Sequence, residues 1–439
     1  MSSPRASGPP LRAPLRRPTF RRLAVTYAVN ELGDWMGIVA LAVLVFDQTD
    51  SAFAVAGLFL GSRFIPALLA PLLVVRAELP APRLALPVIY LGEAAAFAGL
   101  ALLAVNFSLA AVIAVAIVDG ALALTGRALT RSVIAALLKP AGELRAGNAV
   151  LNVAFTGGAA IGPAIAGIVV AEFGVQEALF LDAASFLAIA AILLTAGTLP
   201  RPEFQPGRFR ARLRAGLAYI GRQATLRRLL YAQAAAFVFF AAVIPIEVIY
   251  AKESLDAGDS GYGLLLASWG VGMLLGSFAF AALRRRSLPM LLFASTIAVG
   301  VGYLGLAVAP VLASACAASI LGGAGNGVQW VGVISAVQEL TEQGMQARVI
   351  SVLESIGAAM PGVGYVVGAL VASGHNPRVT FFVAGFGVLA VVALAAPALR
   401  GQWAKDLDRI AAMDEAPEDE ILVELRPPGR AGVANPESG

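Results

Sequence analysis

The stretch Gly142–Phe173, GELRAGNAVLNVAFTGGAAIGPAIAGIVVAEF, predicts an apolar helix that is long enough to cross a bilayer. Gly158, Gly162 and Gly167 recur along one face of this helix, where the missing side chains allow a neighbouring backbone to approach. Pro163 removes one helical hydrogen bond beside Gly162. Helices of this kind pack and hinge, so the stretch indicates a membrane protein whose helices move against one another.

The composition places most of the chain in lipid. Of its 439 residues, 59% are hydrophobic and only 14% are charged, and the mean hydropathy is +0.80. A water-soluble protein of this length would have to expose large apolar patches. We therefore expect the hydrocarbon of a bilayer to be the solvent for most of the surface.

Twelve apolar segments are predicted to cross the membrane, since a helix needs roughly 20 residues to span a hydrocarbon core of about 30 Å. The first six lie near 23–46, 52–75, 84–105, 108–136, 145–171 and 175–198. The second six lie near 225–250, 261–283, 287–308, 311–337, 346–372 and 376–398.

Basic residues alternate between the loops and predict the orientation. Arginines precede the first segment and fill the middle loop, whereas the loop Asp47–Ser51 contains neither Lys nor Arg. By the positive-inside rule, this pattern predicts a multi-pass protein of the cell inner (plasma) membrane with both termini in the cytoplasm. Lys252 and Arg378 are exceptions on the other side. Orientation explains the net charge of +4, so no nucleic-acid partner is predicted.

The middle loop divides the chain into two six-helix bundles. The predicted parts are a cytoplasmic tail, a first bundle, a linker, a second bundle and a disordered acidic tail, at 1–22, 23–198, 199–224, 225–398 and 399–439. Within the linker, Phe209, Leu213, Leu217 and Ile220 recur at helical spacing and indicate an amphipathic helix at the cytoplasmic interface. This helix either regulates the protein or only fixes its topology.

The two halves also share a pattern. Arg145–Gly167 has a loose counterpart in Arg348–Gly368, because both begin at an Arg and continue into spaced glycines beside a proline. A separation of this size suits a duplicated six-helix unit.

Three further segments carry a family resemblance: NELGDWMGIVALAVLVFDQTDSA, SRFIPALLAP and RALTRSVIAALLKPAGELRAGNAVLNVAFTGGAAIGPAIAGIVV. With them the chain resembles the major facilitator superfamily, in the branch of macrolide-efflux and enterobactin-exporter-like proteins, over about residues 20 to 400. The resemblance implies an all-α integral membrane protein with two pseudo-symmetric six-helix bundles. It also implies that Gly158, Gly162, Pro163 and Gly167 form the helix-packing motif of antiporters, with Ala166 in place of a glycine.

The loop after the second segment departs from the family pattern. The family carries a Gly–Asp–Arg signature there, which latches the cytoplasmic gate. This chain has Val74 for the Gly, Glu78 near the Asp and Leu79 for the Arg, and only Arg83 remains as a basic residue. The latch is therefore degenerate.

Ionisable residues inside the spans are the candidates for function, because unpaired charges in hydrocarbon are costly. Judged by depth, Asp34 is predicted to pair with Arg63, and Glu31 with Arg127. These four residues are candidates for proton coupling or gating, since either acid would bind a proton when its Arg partner moves away. The alternative is a fixed ion pair that holds the first, second and fourth helices together.

Other polar residues are predicted to line a cavity or to pack. Glu93 is expected to lock helices together rather than to bind substrate. The cavity-lining candidates are Asp119, Asn326, Gln329, Glu354 and Trp35.

No enzyme is predicted. The single histidine, His375, excludes a His-rich metal site, and Cys316 is the only cysteine, so neither a metal site nor another cofactor is expected. No phosphate-binding loop is present. We expect a monomer that exchanges a small amphiphilic or hydrophobic molecule for protons across the bilayer. A proton-coupled importer and a non-transporting regulatory protein are the alternatives.

Overall fold

The computed structural model describes residues 12–69, 82–196, 199–200, 208–283, 286–342, 344–400 and 403. Within these residues, twelve helices are long and apolar enough to cross a membrane, as the sequence predicts. The degenerate latch residues Val74, Glu78 and Leu79 lie outside the described residues, as does nearly all of the tail 399–439.

Six spanning helices form the first half of the molecule. α1 begins at a proline, which suits the first turn of a helix because its missing N–H would have no helical partner there. α1 ends at Asp50, which adopts a left-handed conformation. The six are α1 (Pro18–Thr49), α2 (Ala52–Leu69), α3 (Pro82–Val105), α4 (Leu109–Leu138), α5 (Leu144–Phe173) and α6 (Val175–Leu194).

A short linker helix, α7 (Arg208–Arg222), precedes the second half. Six spanning helices then repeat the arrangement of the first half. They are α8 (Ala224–Ser254), α9 (Gly258–Ala282), α10 (Leu288–Val308), α11 (Leu312–Glu339), α12 (Gln346–Ala372) and α13 (Arg378–Arg400).

The linker helix α7 is docked on the second half. Gly216 lies so close to the backbone of Arg348 that an added Cβ would be 2.6 Å from its carbonyl oxygen. The hydroxyl of Tyr219 donates to Glu342 Oε1 at 3.2 Å and accepts from the Glu342 N–H at 3.3 Å. Ile220 is buried as its spacing predicts, whereas Leu217 remains 53% exposed. The predicted apolar face of the linker helix is therefore only partly covered by the second half.

Glycines set the same close packing in both halves. In the first half, α5 meets α1 at Gly158 and Gly162, both of which are buried. In the second half, α12 meets α8 at Gly364 and Gly368, where added side chains would strike the carbonyls of Val238 and Ala242. The sequence echo between the segments around Pro163 and Pro361 therefore corresponds to one packing relationship used twice.

Helices of the two halves pack against each other in two places. α5 packs along α9, where Gly270 touches the backbone of Ala159 and Gly263 touches that of Gly167. α2 packs on α12. The rest of the space between the halves holds a cavity.

Candidate functional site

Acidic residues of α1 meet a basic residue of α4 at the cavity. Arg127 binds Asp34 through Nη2, and its Nε lies 3.9 Å from Glu31 Oε1. Asn30 donates to the same oxygen of Asp34 at 3.2 Å. Asn30 and Asp34 stand one helical turn apart and therefore share a face of α1. The guanidinium of Arg127 is thus shared by two carboxyl groups.

The predicted pairing of Asp34 with Arg63 is wrong in this conformation. Asp34 binds Arg127, and Arg63 makes no ion pair within 4.0 Å among the described residues. The physical reason is local: α2 widens into a π-helix at Leu60–Phe64, which changes the face on which Arg63 lies. Such π-segments occur often at functional sites. The predicted pair of Glu31 with Arg127 is present, but it is the longer of the two contacts.

A cavity of about 460 Å³ lies between the halves. Four of its wall residues are charged: Asp34, Arg63, Asp119 and Arg127. The rest of the wall is mainly apolar and aromatic, with rings from both halves, namely Phe59, Phe64, Phe97, Phe237, Phe240 and Tyr365. A volume in the range of about 300–1,000 Å³ with few polar groups is typical of small-molecule sites.

Only one of the five predicted cavity-lining residues is in this wall. Asp119 lines the cavity, as predicted, and its Oδ1 is buried without a hydrogen-bond partner. For the other four residues the assignment to this cavity is wrong, since the wall does not include them: Trp35, Asn326, Gln329 and Glu354.

Their surroundings explain the difference. Trp35 packs against α5 at Gly162, and Gln329 donates to Thr296 Oγ1 at 3.2 Å beside a smaller pocket within the second half. Asn326 is half-buried on α11, and Glu354 is exposed. The sequence predicts how far along its helix each of these residues lies, but not which side of the helix it occupies.

Two carboxyl groups are fully buried near the cavity, and the sequence reasoning missed one of them. Asp182 of α6 is inserted beside Gly33 and Gly37 of α1, and it accepts a hydrogen bond from Ser185 at 3.1 Å. Glu93 of α3 is completely buried, and neither of its oxygens has a hydrogen-bond partner in the described part of the chain. The signal that could have revealed Asp182 was an acidic residue inside a predicted span, opposite two glycines four residues apart.

The predicted packing motif of α5 contacts helices of both halves. An added Cβ at Gly158 would lie 3.1 Å from Glu31 Cβ, and one at Gly162 would lie 2.9 Å from Trp35 Cβ. At Gly167 it would lie 2.8 Å from the carbonyl oxygen of Asp259 on α9. The motif therefore positions the charged face of α1 and also the contact between the halves.

At one end of the spanning helices, an ion pair joins the two halves. We call this end the Lys252 end, and it carries Asp47, Lys252 and Asp259. Lys252 of α8 binds Asp47 of α1 and lies 2.8 Å from Asp259 of α9. Beneath this pair, the rings of Phe59 and Tyr365 lie 5.6 Å apart. We call the opposite end, where α1 begins, the Arg17 end.

Arg378, which the positive-inside rule does not explain, contacts the ends of helices at the Lys252 end. Arg378 donates to the carbonyl oxygens of Ala307 at 3.1 Å, Ala309 at 2.6 Å and Ser254 at 3.0 Å. These carbonyls lie at helix ends and would otherwise lack partners. The position of Arg378 thus follows from helix termination.

Twelve spanning helices in two matching halves around a central cavity define a membrane transporter of the major facilitator fold. The sequence leads to the same class, because residues 10–429 match the family described as a transmembrane secretion effector. The chain belongs to this family of the major facilitator superfamily. Its placement in the macrolide-efflux and enterobactin-exporter-like branch stays a prediction.

Solved structures share the fold at low sequence identity. The nucleoside transporter NupG has a TM-score of 0.69 at 11% identity and covers 87% of this chain and 99% of that chain. A bacterial homolog of the human lysosomal transporter Spinster, in an inward-facing and unoccupied conformation, has a TM-score of 0.67 at 13% identity, over 92% and 99%. The human organic anion transporter MFSD10 has a TM-score of 0.57 at 18% identity, over 86% and 99%. No curated protein sequence gives a match.

Proposed function

We propose that the protein is a proton-coupled exporter of a small amphiphilic or hydrophobic compound that works by alternating access. The observation that carries the proposal is the Asp34–Arg127 ion pair in the wall of a cavity that both halves enclose. Charges within a bilayer are costly and mark ion or substrate pathways by default. The mainly apolar and aromatic wall supports an amphiphilic or hydrophobic cargo.

The coupling step follows from the sharing of Arg127. Asp34 and Glu31 compete for one guanidinium, and Arg127 remains 30% exposed to the cavity while Glu31 is 2% exposed. A movement of α1 against α4 would transfer the guanidinium from one acid towards the other. The carboxylate that loses its cation in apolar surroundings would then bind a proton. Proton binding and the change of conformation are linked in this way, without a further cofactor.

The distribution of basic residues indicates which end of the protein faces the cytoplasm. With the arginine-rich Arg17 end in the cytoplasm, both termini lie there, and the chain crosses the cell inner membrane as a monomer. The Lys252 end then faces outward, and its ion pair between the halves would hold that end closed. In this arrangement the cavity opens to the cytoplasm, which is where an exporter binds its cargo. The family description, a secretion effector, also favours export.

The division at linker 199–224 fits the same proposal. Two halves that rock about a central cavity need a connection that tolerates the movement, and the docking of α7 on the second half fits this need. The amphipathic helix would then travel with the second half.

A susceptibility screen tests the proposal. Cells with and without the protein are compared across a broad panel of toxic compounds, and the screen is repeated with a protonophore. We expect the protein to raise tolerance of at least one amphiphilic compound, and the protonophore to abolish that tolerance. Increased sensitivity would indicate an importer instead. Absence of any effect, together with absence of flux in reconstituted vesicles, would favour the non-transporting regulatory alternative.

A further inference from the structure

Among the described residues, no acidic side chain pairs with Arg63 of the cavity wall. Asp34 and Arg127 form an ion pair, which leaves Arg63 and Asp119 as the charged wall residues without an ion pair in the described part of the chain. Arg63 is exposed to the cavity and makes no hydrogen bond to a described residue. A guanidinium at membrane depth is expensive when it has no partner. Water or the molecule that fills the cavity can supply the partner that the described residues do not.

The surroundings of Arg63 favour an acid attached to an apolar body. Phe59 and Phe64 flank it on α2, and rings from α3 and α8 complete the apolar wall. A guanidinium presents a planar set of donors that matches the oxygens of a carboxylate or a similar acid group. Apolar rings around such a group would hold an aromatic or aliphatic body and leave its acid end to Arg63.

The second half contributes a further polar group at this position. Tyr365 of α12 lines the same cavity, lies within the electrostatic reach of Arg63, and donates no hydrogen bond among the described residues. An anion held by Arg63 would therefore lie in a cavity whose wall includes a phenol side chain from the other half. Such an anion would contact both halves at once, which is the position from which a cargo influences their rocking.

We propose that Arg63 is the anchor for the acid group of the cargo, and that the protein transports amphiphiles that carry an acid group. This inference rests on the proposed function and narrows its substrate class. Gly120 of α4 touches the backbone of Ser62, so the turn of α2 that carries Arg63 is held against α4 at the cavity wall.

The test compares acids with their own methyl esters. Full-length protein in lipid nanodiscs is mixed with a panel of aryl-alkyl carboxylates, with the methyl ester of each, and with the corresponding amines. Thermal unfolding selects the pairs, and calorimetry gives their dissociation constants against empty nanodiscs. We expect at least one carboxylate to raise the unfolding temperature, and its ester to bind about ten- to a hundredfold more weakly, as the loss of a charged hydrogen bond implies.

Two variants assign the preference to Arg63. Arg63→Gln should remove the difference between acid and ester, and Arg63→Lys should keep only part of it, since an ammonium lacks the planar fork. Arg21→Gln, at an exposed position on α1, is the matched control and should change nothing. Should Arg63→Gln fail to fold, the comparison of acid and ester in the unmodified protein and in Arg63→Lys still decides.

Several outcomes would overturn the inference. They are equal binding of acid and ester, tighter binding of the amine, a preference for acids that survives Arg63→Gln, or no stabilisation by any acid in the panel. Binding in nanodiscs is measured without a proton gradient and does not depend on the direction of transport. Failure of proton-driven export would appear as tolerance that a protonophore leaves untouched, so the two failures are distinguishable.

Discussion

Arg127 of α4 binds Asp34 of α1 where both side chains reach the cavity. The pair lies at the level where α5 also supports α1, through the glycine face that packs on Glu31 and Trp35. A movement of either helix must therefore change the distance between the two charges. The following predictions test this arrangement and the packing that surrounds it.

Asp34 and Arg127 should stabilise the protein together, so that the effects of replacing them are not additive. Arg127→Gln leaves two carboxyl groups without a cation, so we expect it to lower stability by about 2 kcal/mol, less than the roughly 3–5 kcal/mol of a fully buried pair because Arg127 is partly exposed. The double variant Asp34→Asn/Arg127→Gln should recover part of this loss. Thermal unfolding in nanodiscs measures both. Additive losses would show that the two residues do not interact.

The contact between α5 and α9 should not tolerate a methyl group. Gly270→Ala places Cβ against the carbonyl of Ala159, so we expect a loss of about 1–3 kcal/mol from overpacking. Gly157→Ala is the matched control, because an added Cβ there meets nothing within 4 Å. Unfolding temperatures of the two variants provide the comparison. Equal stability of both would mean that the halves do not approach here as described.

The pair at the Lys252 end should hold that end closed. Asp47→Asn removes the ion pair between the halves at this end, while Asp50→Asn, at the exposed capping residue after α1 and in no ion pair among the described residues, is the control. In Asp47→Asn, we expect Ser62→Cys in the cavity wall to react several-fold faster with a membrane-impermeant thiol reagent added at the Lys252 end than it does without the Asp47 change. Cys316 is first replaced by Ser. An unchanged rate would assign the closure to other contacts.

The groove that receives Asp182 should depend on the small residues of α1. Gly33→Ala drives a methyl group into the Asp182 carboxyl, and we expect it to destabilise the protein by about 1–3 kcal/mol. Asp182→Ala should relieve part of this cost, so that the double variant is more stable than the sum of the single changes predicts. A thermal-unfolding cycle of the four proteins measures the coupling. A coupling of zero would contradict the close contact.

The sequence was sufficient for the spanning segments and their packing face, because both depend on local composition. The edges moved by a few residues: the first segment, predicted at 23–46, extends over Pro18–Thr49, since a helix continues past the hydrocarbon until its capping residues end it. Gly158 and Gly162 could be predicted as contact positions from spacing alone, although their partners on α1 could not.

The sequence alone does not predict which side chains of different helices contact one another. The sequence identifies Arg63 as a charged residue inside a predicted span, but the π-turn at Leu60–Phe64 leaves no signal in hydropathy. Lys252 and Asp47 are 205 positions apart, and only the approach of the halves brings them together. The sequence does not reveal the contact of Asp182, because this residue packs against Gly33 and Gly37 of α1 and not against a residue of opposite charge.

The most direct measurement is proton-driven transport by Asp34→Asn, with Asp50→Asn as the matched control. Cargo efflux from inverted vesicles is followed at a series of pH values, with and without an imposed proton gradient. The account predicts that Asp50→Asn behaves as the unmodified protein does, whereas Asp34→Asn loses gradient-driven efflux and retains at most a passive exchange that does not vary with pH. Gradient-driven efflux by Asp34→Asn with an unchanged pH dependence would contradict the account.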